Sequence, residues 1–307
     1  MRVFFLLLCG INTHNFSRMV RLGCLAGIVC LFSSFQSSHF FKLSDVIYAT
    51  HEGSSRQNSM DIYIPVKGGV SPVIVWIHGG GWSAGSKEHV QDKPDFFTKH
   101  GYVFVSVNYR LHTQQKHPVQ VQDVADAIAW LARNAHHYSI NPKQIYVMGH
   151  SAGAHLAALV SVDETYLKKA GATSQLIKGT ILLEGAAYDI PLAMREGGDR
   201  LKKIYRDAFG DDRTVWKAAS PVSHVSSTKS IAPFFIAHAG HREVSEMEST
   251  MFATVLTKAG VKNSVNHYPD HNHMTINRLF GNEVDPVCGD VLHFLEEASA
   301  TAVAESK

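Results

Sequence analysis

The sequence predicts an α/β protein with a mostly parallel central sheet, helices on both faces and a small cap insertion. Three observations predict it. Short apolar runs alternate with helix-period stretches from residue 73 onward. Runs such as Val73 to Ile77 are apolar at every position, as expected of strands buried on both faces. Finally, Gly149-His150-Ser151-Ala152-Gly153 follows an apolar run and opens an Ala-rich stretch, a strand–turn–helix context.

In chain order, residues 45–49 and 61–64 read as strands flanking the polar stretch His51 to Ser59, an antiparallel hairpin at a sheet edge. Pro65 ends the second. Val73 to Ile77 is a central strand running into His78-Gly79-Gly80-Gly81-Trp82. Lys87 to His100 reads as a helix stopped by Gly101, and Tyr102 to Asn108 as a buried strand. Pro118 opens a helix through about Asn134, with Val121, Val124, Ala125, Ile128, Leu131 and Ala132 on one face. Strands follow at 145–149, 178–185, 232–239 and 263–268, and helices at 152–160, 244–259 and 285–298. Between them, Asp189 to Trp216 is polar and irregular and reads as a lid, about 189–218.

The first forty residues differ in kind. Val3 to Cys9 and Leu22 to Phe32 are apolar, Arg18 and Arg21 precede the second run, and the Ser/Gln-rich Ser33 to Ser38 follows it. That order predicts a signal peptide over 1–40 and a single catalytic domain over 41–307. The run is short for a membrane span, so a retained anchor is the second expectation. Met19, just before Val20-Arg21, is a candidate true start. Three of the four cysteines (Cys9, Cys24, Cys30) lie in this leader, which leaves Cys288 and no internal disulfide. The large residues Leu8 and Val29 before Cys9 and Cys30 speak against lipid attachment.

The 307 residues are 45% hydrophobic and 18% charged, enough for one sizeable core. A formal net charge of +2 gives no reason to expect a nucleic-acid partner. Nineteen histidines are many, and most read as surface or packing residues.

The chemistry centres on Ser151. In G-x-S-x-G the serine sits on a strained turn that projects its hydroxyl from the sheet end, and a Cβ at 149 or 153 would clash there. The glycines at 79–81 let backbone N–H groups face a neighbouring site, as an acyl-transfer oxyanion hole requires. Gly80, Gly81 and Ala152 are the expected donors. A serine needs a base and a group to orient it, in the chain order Ser, acid, His. His271 and His273, in Pro269-Asp-His-Asn-His-Met274, are the candidate bases. His273 is preferred, because Met274-Thr275 can start a helix that fixes the loop. A His-x-His metal pair is the competing reading, supported by no carboxylate beyond Asp270. The loop after the strand ending near Ala239 offers Glu243 as the acid, with Glu246 second. Glu184 or Asp189, after the preceding strand, can also reach the histidine. No cofactor and no metal are implied.

His78-Gly-Gly-Gly-Trp82, Gly149 to Ala157, Tyr188-Asp-Ile190, Ser220-Pro221 and His273-Met274 together resemble the α/β-hydrolase superfamily. Within it, over roughly residues 45–298, the chain is similar to small carboxylesterases related to hormone-sensitive lipase, to feruloyl/acetyl-xylan esterases and to kynurenine formamidases. It departs from them at Glu243, where relatives usually carry aspartate, and at Met274, where many carry phenylalanine. The resemblance implies a serine hydrolase of short-chain acyl or aryl esters, using Ser151, His273 and Glu243 and acting on a small molecule, and the leader predicts that it is exported. A formamidase-like amide hydrolase is the alternative, and a non-catalytic binding protein of the same fold the third reading.

Overall fold

The computed structural model describes residues 39–51, 56–113 and 115–304. The expected leader, with Cys9, Cys24, Cys30 and Met19, therefore lies outside the described residues, apart from its last two positions. β1 (Phe40–Ile47) and β2 (Ser59–Pro65) form the antiparallel edge hairpin, and β2 pairs antiparallel with β4 (Val103–Val107). From there the sheet is parallel. β3 (Ser71–Ile77) lies between β4 and β5 (Ile140–His150), followed by β6 (Ile177–Leu183), β7 (Phe234–Ala239) and β8 (Asn263–Tyr268). The eight-stranded order is β1-β2-β4-β3-β5-β6-β7-β8, an open sheet whose order reverses around β3 and β4.

Strand alternation divides the core between the two faces. Val73, Val75 and Ile77 share one cluster with α2 (Val119–Asn134), α3 (Ala152–Val162) and α8 (Glu243–Lys258). Ile74 and Trp76 share the other with Phe96 and Phe97 of α1 (Lys93–Lys99) and with Val287, Val291 and Leu295 of α10 (Pro286–Ala304). Helix α1 starts later than the sequence suggests. Pro94 sets its first turn, and the preceding, buried Lys87 is drawn into ion pairs with buried Asp61 (2.5 Å) and exposed Asp45 (2.9 Å).

A short α4 (Glu164–Lys169) follows α3. The expected irregular lid is helical: α5 (Ile190–Glu196), α6 (Asp199–Phe209) and α7 (Arg213–Ala219) lie between β6 and β7. Local chemistry explains this. Asp189 and Asp212 cap α5 and α7 by accepting from Leu192 N (3.0 Å) and Thr214 N (2.7 Å). In α6, Leu201, Ile204, Tyr205, Ala208 and Phe209 recur at helical spacing among charged residues and turn inward. A one-turn α9 (Thr275–Arg278) stands between β8 and α10. Among the described residues no helix is long and apolar enough to cross a membrane.

Candidate active site

The ends of β3, β5, β6 and β7 and the cap enclose a cleft of about 980 Å³, lined by Gly80, Gly81, Ser151, Ala152, Glu184, Arg242 and His273 among others. Ser151 stands between β5 and α3 at φ 55° and ψ −120°, a conformation L-residues rarely hold. Its N–H is tied to Leu183 O (3.1 Å). The turn is possible because its neighbours lack side chains. A Cβ on Gly149 would overlap the Gly153 carbonyl, and one on Gly153 would overlap that of Ile77.

The glycine loop is locked by its own carbonyls. Buried His78 donates from Nδ1 to Gly79 O (2.8 Å), and Gly80 O accepts from Ser83 N and Ala84 N (both 3.1 Å). In a trans peptide the N–H points opposite to the C=O, so these bonds turn the Gly80 and Gly81 N–H groups the other way. Burial pushes His78 down to about 4, so at neutral pH it stays a neutral donor. Trp82, at the end of the loop, packs edge-on against His155 of α3 and Tyr205 and Phe209 of α6. Its indole N–H donates to His155 Nδ1 (3.3 Å), and His155 Nε2 donates to Ala219 O (2.8 Å). The second motif histidine thus joins loop, elbow helix and cap. Nothing in the sequence assigned it that task.

His273 lies in the cleft, one third exposed. Asn272 Oδ1 accepts from Met274 N (2.9 Å) and Thr275 N (3.0 Å) and starts α9, which fixes the loop as the sequence suggested. His150 Nε2 donates to His273 O (2.7 Å), and buried Lys93 donates to Asn277 O (2.7 Å). Burial, then the neighbouring His273, lowers His150 to about 3, so it holds the loop uncharged. His271 instead faces Asp285 at 3.3 Å and does not line the cleft.

The carboxylate beside His273 is Glu184, not Glu243. Glu243 is exposed in the first turn of α8, where it faces solvent at the positive end of the helix. Glu246 is exposed in the same turn, and Asp189 is occupied as the α5 cap. Glu184 follows β6 at φ 47°, its side chain fully buried. It accepts from Ala239 N (2.7 Å) and Arg242 Nη1 (2.6 Å), and its Oε1 stands 3.7 Å from His273 Nδ1. Burial opposes its charge, but the facing imidazole, the Ala239 N–H and the Arg242 cation together hold the carboxyl below its ordinary value. Arg242 Nη1 also lies 2.8 Å from His273 Nδ1. Behind the loop, buried Glu248 accepts from Tyr188 N (3.1 Å), and burial pushes it up to about 7.

Among the described residues one group has metal-ligand spacing, His51, Asp123 and Asp126, none of which lines this cleft. Asp123 is committed to Arg110 Nε at 2.9 Å.

A strained serine elbow, a locked glycine loop and a histidine beside a buried carboxylate thus meet at one end of an open parallel sheet. The BD-FAE model covers residues 60–256. The chain belongs to the BD-FAE family. Its fold is the α/β-hydrolase fold. It is 30% identical over 229 residues to Esterase LipQ of Mycobacterium tuberculosis, covering 71% of this chain and 53% of that one. It is 28% identical over 237 residues to a kynurenine formamidase of Danio rerio, covering 76% and 75% of the two chains. It spans about half the length, or less, of several of the curated relatives it matches. Solved structures share the fold. Esterase B from Lactobacillus rhamnosis has a TM-score of 0.75 at 18% identity, covering 88% of this chain and 91% of that one. A carbohydrate esterase from gut microbiota has 0.73 at 22%, covering 86% and 98%.

Proposed function

We propose that this BD-FAE member is a serine hydrolase of short-chain acyl or aryl esters, with Ser151 as nucleophile, His273 as base and Glu184 as the acid that orients it. The observation that carries the reading is the convergence of these three residues in one cleft. Ser151 Oγ bonds to the carbonyl carbon and its proton passes to His273 Nε2. The oxyanion is held by the N–H groups of Gly80, Gly81 and Ala152, the last at the start of α3 where helix N–H groups have no internal partner. The C–O bond breaks, the departing alcohol takes the proton from His273, and water then releases the acid and restores Ser151. The cap residues Leu201, Ile204 and Tyr205 line the cleft and support a short acyl group.

Hydrolysis of p-nitrophenyl acetate, butyrate and octanoate, with Ser151→Ala alongside, tests this. Chain-length-dependent turnover lost in the variant is expected, and turnover unchanged in it would remove the elbow from the mechanism. The kynurenine formamidase relative, matched over 75% of its length, favours amide hydrolysis as the second reading. Turnover of N-formylkynurenine without turnover of esters would select it. Failure of a serine-directed phosphonate to label Ser151 would leave a binding role. We further propose export through the leader, which N-terminal sequencing of the mature protein tests.

A further inference from the structure

We propose that Arg242 is a substrate-operated latch on His273, and that the enzyme prefers esters carrying a carboxylate or a similar anionic group. The proposal rests on the hydrolase reading above. A guanidinium only donates hydrogen bonds. With Arg242 Nη1 at 2.8 Å, His273 Nδ1 must be the bare, accepting nitrogen, and the ring proton sits on Nε2. A base that takes the Ser151 proton through Nε2 needs the opposite tautomer, with Nδ1–H held by a carboxylate. The carboxylate is present but displaced. Glu184 Oε1 bonds Arg242 at 2.6 Å and stays 3.7 Å from Nδ1, beyond a hydrogen bond. No hydrogen bond joins Ser151 Oγ to His273 among the described residues. The imidazolium that forms during attack would also set an Nδ1–H against a guanidinium N–H, donor against donor and cation against cation. Turnover therefore requires Arg242 to leave Nδ1 and Glu184 to take its place.

Arg242 is built to move. Its side chain is 51% exposed and it precedes α8 on a loop. What draws a guanidinium from a carboxylate is another planar anion offering two acceptors. Arg200 of α6 and Arg278 of α9 line the same cleft, and neither has a carboxylate partner among the described residues. The acidic lining residues are Glu184, Asp199 and the buried Glu248. A substrate anion would meet three guanidiniums, and by engaging Arg242 it would complete the triad on itself.

The test compares kcat/KM within two matched pairs: p-nitrophenyl hydrogen adipate against p-nitrophenyl hexanoate, and 4-acetoxybenzoate against phenyl acetate. Wild type should prefer the charged member of at least one pair by about tenfold or more, the scale of a hydrogen bond to a charged group. Arg242→Gln should raise kcat on neutral esters and bring that ratio close to unity. Arg242→Lys, which keeps the charge and loses the fork, should keep part of the preference. Equal or neutral-favouring ratios in wild type overturn the proposal. So does an Arg242→Gln loss that is the same for both members of a pair, since that would make Arg242 a mere support of Glu184. Ester turnover lost in Ser151→Ala keeps the hydrolase reading intact whichever way the ratio falls. Absence of turnover on all these esters refutes the ester-hydrolase reading and the latch with it.

Discussion

Replacing Glu184 by glutamine should nearly silence the enzyme, while replacing Glu243 should not. The isostere keeps an acceptor for Ala239 N but removes the charge that faces the imidazole. For unit charges 3.7 Å apart, an effective dielectric of about 20 gives about 4 kcal/mol. His273 is one third exposed, so solvent returns part of this, and about 3 kcal/mol of imidazolium stabilisation is at stake. At 1.36 kcal/mol per decade that is about a hundredfold in kcat. Loss of the tautomer lock adds to it, towards the roughly 10⁴-fold seen when a triad acid becomes an amide. Arg242, deprived of its carboxylate, would remain on Nδ1 and deepen the loss. Glu243→Gln removes only an exposed charge in the first turn of a helix, worth about 0.3–1 kcal/mol of stability. The assay is kcat on p-nitrophenyl butyrate, with a thermal midpoint for each variant to show that it is folded. A folded Glu184→Gln enzyme within about tenfold of wild type would refute the reasoning. A collapse of kcat in Glu243→Gln would return the acid to the α8 turn.

Three further outcomes are expected. Gly153→Ala forces a Cβ into the Ile77 carbonyl, a rigid neighbour in the central strand, so soluble yield and thermal midpoint should fall by far more than for a surface Gly→Ala change such as at Gly198. Glu248 is pushed up to about 7 by burial from an ordinary 4.5, so its neutral form is favoured by the fold. That contribution is fully present below the unfolded value and is lost as pH rises through about 7, on the order of 3 kcal/mol at most. The thermal midpoint should therefore decline between about pH 5 and 8 in wild type and decline less in Glu248→Gln, and an unchanged slope would contradict it. Ile204→Trp fills the cap side of the cleft and should lower kcat/KM on octanoate more than on acetate, and equal losses on both would place the acyl chain elsewhere.

The proposed latch, the bridging histidine and the carboxylate beside His273 share a property that hid them. Glu184 was only one of four candidate carboxylates in the sequence. It becomes the partner of His273 because β6 and β7 pair with Leu183 opposite Ala237, which sets Ala239 N and Arg242 around its carboxylate. Glu243 looked better placed by chain order, yet its position at the start of α8 turns it to solvent. The helical cap was misread for a local reason. Its polar residues are the outward faces of short helices whose inward residues are few.

By itself the sequence determined the alternating open sheet, the position of Ser151 and the glycine loop that faces it. Each depends on contiguous residues, since burial on both faces demands unbroken apolar runs and a strained turn demands small neighbours one or two positions away. Tertiary structure alone decided which carboxylate meets His273, that His155 joins loop to cap, and that Arg242 lies on Nδ1. Those outcomes depend on side chains from β5, β6, α3, α8 and the β8–α9 loop reaching a common point. That reach is set by strand register and packing, which no local pattern encodes.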